Sequence, residues 1–83
     1  APKNARVHLD LHGKRVEEAI EELDNFLSNA LMAGFSEVLV SHGIGTGRLS
    51  VAVSEFLSSH PKVLEFSDAP PQMGGFGAKV VKL

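Results

Sequence analysis

Twice in 83 residues a strand-like run closes on a histidine–glycine pair and gives way to a second apolar pattern. The first pair closes Leu9-Asp10-Leu11-His12-Gly13; the second opens His42-Gly43-Ile44-Gly45-Thr46-Gly47. Before the first, Val7, Leu9 and Leu11 alternate with Arg6, His8, Asp10 and His12, the period of a strand with one buried face. After it, Val16, Ala19, Ile20, Leu23, Phe26, Leu27, Ala30 and Leu31 recur at helical spacing, with Glu17 and Glu18 in the first turn and Gly34 as the stop. Val38, Leu39 and Val40 form a short buried strand, and Leu49, Val53, Phe56 and Leu57 a second helix that ends by Pro61. If the two strands are parallel neighbours, both histidine–glycine turns fall at the carboxyl edge of one sheet, where open α/β sheets bind ligands.

The rest of the chain completes that sheet. Val63, Leu64 and Phe66 predict a third strand, residues 68–77 a long loop with Pro70, Pro71, Gly74, Gly75 and Gly77, and residues 78–83 a last strand. The order β-α-β-α-β-β, with right-handed crossovers, predicts an α/β (α+β) two-layer sandwich. Its four-stranded mixed sheet carries both helices on one face and leaves the other open. The length is that of a single domain, 1–83. The absence of cysteine removes disulfides, thiolate zinc sites and thiol nucleophiles. No apolar run has membrane-spanning length and no signal peptide is visible, so a cytoplasmic protein without a membrane partner is expected. The start at Ala1-Pro2-Lys3, without an initiator Met, leads us to expect a domain excised from a longer chain.

A net charge of −2 is unusual for a nucleic-acid binder, but the charges are segregated. Residues 16–33 hold Glu17, Glu18, Glu21, Glu22 and Asp24 and no base, leaving five acids against eight bases elsewhere. Those bases include Lys3, Arg6, Lys14 and Arg15 around the first motif, Arg48 after the second, and Lys79 and Lys82 near the end. This distribution allows a basic face with an acidic back.

Asp10 and His12 are two apart on a strand pattern and so share a face. A carboxylate beside an imidazole can orient it, raise its pKa or share a metal with it; the plainer reading is a solvated strand end. Gly43, Gly45 and Gly47 let the backbone approach a ligand and lead into a helix whose free N–H groups attract anions, to which Arg48 adds a fork of donors. The plainer reading is a tight turn, but three glycines in five residues exceed what a turn needs. The loop is neither a P-loop, since the Gly-Lys-Ser/Thr ending is missing, nor a dinucleotide fingerprint. His42 reads either as a general acid or phosphate donor, or as a structural loop histidine. His60 reads as a helix-end cation. Phe76, in Gly74-Gly75-Phe76-Gly77, reads as a base-stacking residue if exposed, or as core or hinge. The four histidines are not spaced as a structural zinc site.

In order and spacing these motifs resemble those of the small MutS-related (Smr) domain, in the version found at the C-terminus of bacterial MutS paralogues outside mismatch repair. The resemblance rests on residues 9–13, Val16-Glu17-Glu18-Ala19, residues 42–47 with Leu49, Ala69-Pro70 and residues 74–77. It implies a fold similar to the C-terminal domain of translation initiation factor three. It also implies nicking endonuclease activity on DNA, and on RNA in relatives, with Asp10, His12, His42, Gly43, Gly45 and Gly47 as site residues. The parent chains it points to are MutS-like ATPases, expected to be dimeric, linked to suppression of recombination or to rescue of stalled ribosomes. The isolated domain is expected to be monomeric.

The mechanism expected on that basis has Asp10 orienting or activating water, directly or through Mg²⁺ or Mn²⁺, with no other cofactor assigned. His12 is the general base or acid, and His42 holds the phosphate or protonates the leaving oxygen. The amides of Gly43, Gly45, Thr46 and Gly47, with Arg48, Arg15 and Lys79, hold the phosphates. The competing expectation is an RNA- or ribosome-binding module, or an RNA endonuclease, acting in the rescue of stalled ribosomes.

Overall fold

A computed structural model describes residues 7–45 and 47–83, so Arg6 and Thr46 lie outside the described residues. Strand β1 spans Val7–Asp10, with Val7 and Leu9 half-buried and His8 and Asp10 exposed, as the alternation predicts. It stops at Asp10 because the Asp10 carboxylate accepts the His12 backbone N–H at 2.9 Å, an aspartate turn that bends the chain. Leu11 still donates its N–H to the Ser41 carbonyl at 2.7 Å and buries its side chain completely.

Helix α1 covers Val16–Met32 and buries Ala19, Leu23, Leu27 and Ala30, a stripe at helical spacing. Ala33 caps it and Gly34 follows. Strand β2 is Glu37–Ser41 and helix α2 is Arg48–Ser59, which buries Val53 and Leu57. His60 closes α2, its ring edge-on to Phe56 with centroids 5.4 Å apart. Its Nδ1 accepts the Lys62 N–H, and its Nε2 lies 3.8 Å from Asp24 on α1, so the ring links the two helices.

Strands β3 (Glu65–Asp68) and β4 (Ala78–Lys82) complete a sheet ordered β1-β2-β4-β3. β1 and β2 are parallel, Asp10 lying opposite Ser41, and β4 runs antiparallel to both β2 and β3. Val38 and Val81 face each other across β2 and β4 and, with Val40, are fully buried against Leu11, Leu23, Leu27, Val53 and Leu57. Each such side chain contributes about 1.5–3 kcal/mol by leaving water. The two-layer α/β architecture, with two helices over a four-stranded mixed sheet whose other face is open, is the one the sequence predicts.

Two details differ. The third strand begins at Glu65, two residues later than its apolar residues suggest. Val63 is drawn into a turn by donating its N–H to the His60 carbonyl, and Leu64 is exposed. Residues 68–77 are not a featureless loop, since they hold two short 3₁₀ turns, Pro71–Met73 and Gly75–Gly77.

Candidate active site

The parallel pairing of β1 and β2 sets Asp10 beside Ser41, so the turns after both strands meet at one edge. There the Asp10 Oδ1 accepts two hydrogen bonds from His12, from its backbone N–H at 2.9 Å and from its ring Nδ1–H at 2.5 Å. These bonds, the backbone one foremost, hold the Asp10 carboxyl below its ordinary pKa, so it is ionised throughout the neutral range. An ionised acceptor fixes the proton of a neutral His12 ring on Nδ1 and leaves Nε2 as the basic atom. Both side chains are exposed.

Gly43 makes room for that ring. Its backbone is left-handed (φ 82°), and a Cβ there would stand 2.8 Å from His12 Cδ2 and 3.1 Å from Nε2. The imidazole therefore rests directly on the Gly43 backbone. Behind it, the Gly77 carbonyl accepts the N–H groups of both His42 and Gly43, at 2.8 and 2.9 Å. The result is a cleft of about 420 Å³ lined by His12, Gly13, Ser41, His42, the loop at Gly43–Gly45, Gly74 and Gly77. Sequence reasoning missed Ser41 and the Gly77 carbonyl. Ser41 was legible as the last residue of a strand, whereas the carbonyl shows only in the fold.

The expected site residues do not all come together. Asp10 and His12 come together as expected. His42 does not join them at the surface: the residue is 4% exposed, its Nδ1–H is bonded to the Gly43 carbonyl at 2.8 Å, and Nε2 is buried without a partner among the described residues. Burial pushes its pKa down, so the ring is neutral at neutral pH. Lys79, expected on a phosphate, is 8% exposed on the helix-covered side of β4, opposite Val40. Its ammonium is held by Asp68, directly across the ladder on β3.

The loop amides also divide. Those of Gly43 and Gly47 are bonded, to the carbonyls of Gly77 and Ile44, while those of Ile44 and Gly45 have no partner among the described residues. Thr46 lies outside the described residues. Arg48 opens α2 and Arg15 caps α1. Together with Lys14, Val16, Glu17 and Leu49 they line a second depression of about 560 Å³, next to the cleft along both turns. Lys14 is committed to Glu22 at 2.8 Å, a pair that raises its pKa.

Among the described residues no group of three or more His, Asp or Glu side chains is placed to hold a metal ion. Asp10 is a lone carboxylate with one oxygen engaged by His12, so these residues do not form a multi-ligand cation site.

The fold and this edge define a small α/β module with an oriented histidine set over a glycine loop. The chain belongs to the Smr domain family, whose model matches residues 9–83. It is 57% identical over 82 residues to the "Endonuclease MutS2" of Helicobacter pylori (strain ATCC 700392 / 26695), a match covering 99% of this chain and 11% of that protein. It is 47% identical over 74 residues to the Enterococcus faecalis protein of the same name, covering 89% and 9%. The chain thus spans about a tenth of the length of these relatives. Among solved structures, it is similar to the Smr domain of Thermus thermophilus MutS2, with a TM-score of 0.91 and 43% identity over 93% of this chain and 96% of that one. It is also similar to YdaL, a stand-alone small MutS-related protein from Escherichia coli. That match has a TM-score of 0.88 and 28% identity, covering all of this chain and 68% of the other.

Proposed function

We propose that this domain hydrolyses phosphodiester bonds as a nicking endonuclease on DNA. It would act as the C-terminal cutting module of a longer, cytoplasmic MutS-like ATPase that suppresses recombination. The observation that carries the reading is the Asp10–His12 pair seated on Gly43 at the sheet edge. The relatives named endonuclease support it.

In the mechanism, His12 Nε2 takes a proton from the attacking water as the water oxygen bonds to phosphorus; the P–O bond to the leaving sugar oxygen breaks, and that oxygen takes its proton from solvent. Asp10 keeps the ring in the required tautomer and stabilises the imidazolium that forms, the part a carboxylate plays behind any catalytic histidine. Charge on the phosphate is met by the Ile44 and Gly45 amides and by the positive end of α2, with Arg48 and Arg15 on the neighbouring phosphates. The buried, neutral His42 is here a positioning residue: its backbone N–H and ring tie the loop to Gly77 and to itself beneath His12.

A supercoiled-plasmid nicking assay at low salt tests this reading, comparing the chain with the Asp10→Asn/His12→Ala double variant in Mg²⁺, Mn²⁺ and EDTA. Nicking by the chain and none by the variant is expected; equal nicking by both would sink the assignment. The EDTA lane reads whether a cation joins Asp10. Tight binding of DNA or RNA with no cleavage at any protein concentration would leave a binding module instead.

A further inference from the structure

Five phenylalanines stand in the sequence, and four of them, Phe26, Phe35, Phe56 and Phe66, pack against the core. Phe76 is 77% exposed, in the middle of the 3₁₀ turn Gly75–Gly77. Ile44, on the loop across the cleft, is 70% exposed. Other large exposed apolar residues lie singly, at Met32, Val51 and Leu64, which is ordinary for a protein surface. Ile44 lines the cleft, and Phe76 stands next in the chain to Gly77, which lines it too. A Cβ on Gly77 would stand 3.5 Å from the Gly43 backbone and 3.6 Å from Ile44 Cγ1.

The backbone beneath Phe76 is tied down. The Gly77 carbonyl holds the His42 and Gly43 amides, Gly77 donates its own N–H to the Gly74 carbonyl, and Ala69 bonds to Ala78 at the base of the loop. An aromatic ring is therefore presented to solvent from a fixed support, one residue before the glycine whose carbonyl holds the loop under His12.

We infer that Phe76, flanked by Ile44, is a stacking platform for an unpaired nucleobase next to the phosphate in the cleft. The inference rests on the phosphodiester reading above and adds a substrate class, a strand that is single or locally opened. A paired base already has both faces covered and gains nothing from the ring, whereas an unpaired base stacks on it whatever its identity. The chemistry is common to DNA and RNA.

The chain has no tryptophan and no tyrosine, so the variant Phe76→Trp carries a single indole at this spot. Its emission would be followed during titration, at low salt, with eight-nucleotide dT and rU strands, an abasic strand of equal length and a short duplex. Quenching by dT or rU, but not by the abasic strand or the duplex, is expected, and the dT and rU arms tell DNA from RNA. Alongside it, Phe76→Ala should weaken dT binding by about 5- to 150-fold, the range of one stacked base, and leave abasic binding unchanged. Equal binding of dT by Phe76→Ala and the unchanged chain, or an indole that ignores every strand, would overturn the platform. An emission shift that follows protein concentration without nucleic acid would overturn it in favour of contact between copies. If quenching appears but the plasmid is never nicked, the cleavage reading fails and the platform stands. If the plasmid is nicked without quenching, the reverse holds.

Discussion

At the scale of single residues, the proposed cleavage depends on one imidazole and on what keeps it in place. His12→Ala should lower cleavage by about 10²- to 10⁴-fold, the usual worth of a positioned general base, while leaving the fold unaltered because the ring is exposed. Gly43→Ala tests the seat beneath the ring. The new methyl would stand 2.8 Å from His12 Cδ2, and its backbone would be held left-handed, which costs about 1–2 kcal/mol in a residue with a side chain. Gly45→Ala is the control: that residue also has a positive φ (38°), but nothing lies within 4 Å of the added carbon. Both variants should lose stability in urea melts. Cleavage by the Gly43 variant should fall well beyond that of the Gly45 variant, and equal activities would show that His12 does not depend on its seat.

At the scale of elements, the β2–α2 junction hangs on His42. Its pKa is lowered in the folded chain, so the unfolded chain binds the proton more readily. The stability it contributes is complete above the unfolded value, about 6.5, and is lost as the pH falls through that value toward the folded one. The loss cannot exceed about 1.4 kcal/mol for each pH unit crossed. Urea midpoints measured from pH 8 to pH 5 should therefore fall more steeply for the unchanged chain than for His42→Asn, which keeps a donor for the Gly43 carbonyl. Parallel curves would mean that the ring titrates freely.

This junction also shows where the sequence was readable. Periodicity located both helices and the first two strands, because each depends on spacing within one element; the meeting of the histidine–glycine turns followed only once those strands paired in parallel. The burial of His42 was legible too: with Val38 and Val40 facing the core, the next even position continues inward. The bury-or-expose choice for Lys79 was not, because it is set by register across β2, β4 and β3, opposite Val40 and Asp68. Nor did the sequence reveal that the Gly43 amide is bonded to the Gly77 carbonyl, or that the missing Cβ at Gly43 leaves room for the His12 ring.

At the scale of the molecule, the proposed hold on nucleic acid by a chain of net charge −2 depends on where its bases stand. α1 concentrates five acids, but one of them, Glu22, pairs with Lys14, which removes a base from the phosphate path. Lys79 is withdrawn by Asp68. Arg15 and Arg48 stand at the two helix starts, lining one depression. Affinity for DNA should fall steeply with salt, and each phosphate contact removed should reduce the slope of log K against log salt by about 1. The double variant Arg15→Ala/Arg48→Ala should thus bind with a slope about 2 units shallower. Lys79→Met, which removes the same kind of charge from beneath the surface, should leave the slope unchanged. Fluorescence anisotropy on one labelled strand between 20 and 200 mM salt, on the order of the range where counterion release is read, decides both. A shallower slope in Lys79→Met, or none in the double variant, would move the nucleic-acid path away from the helix starts.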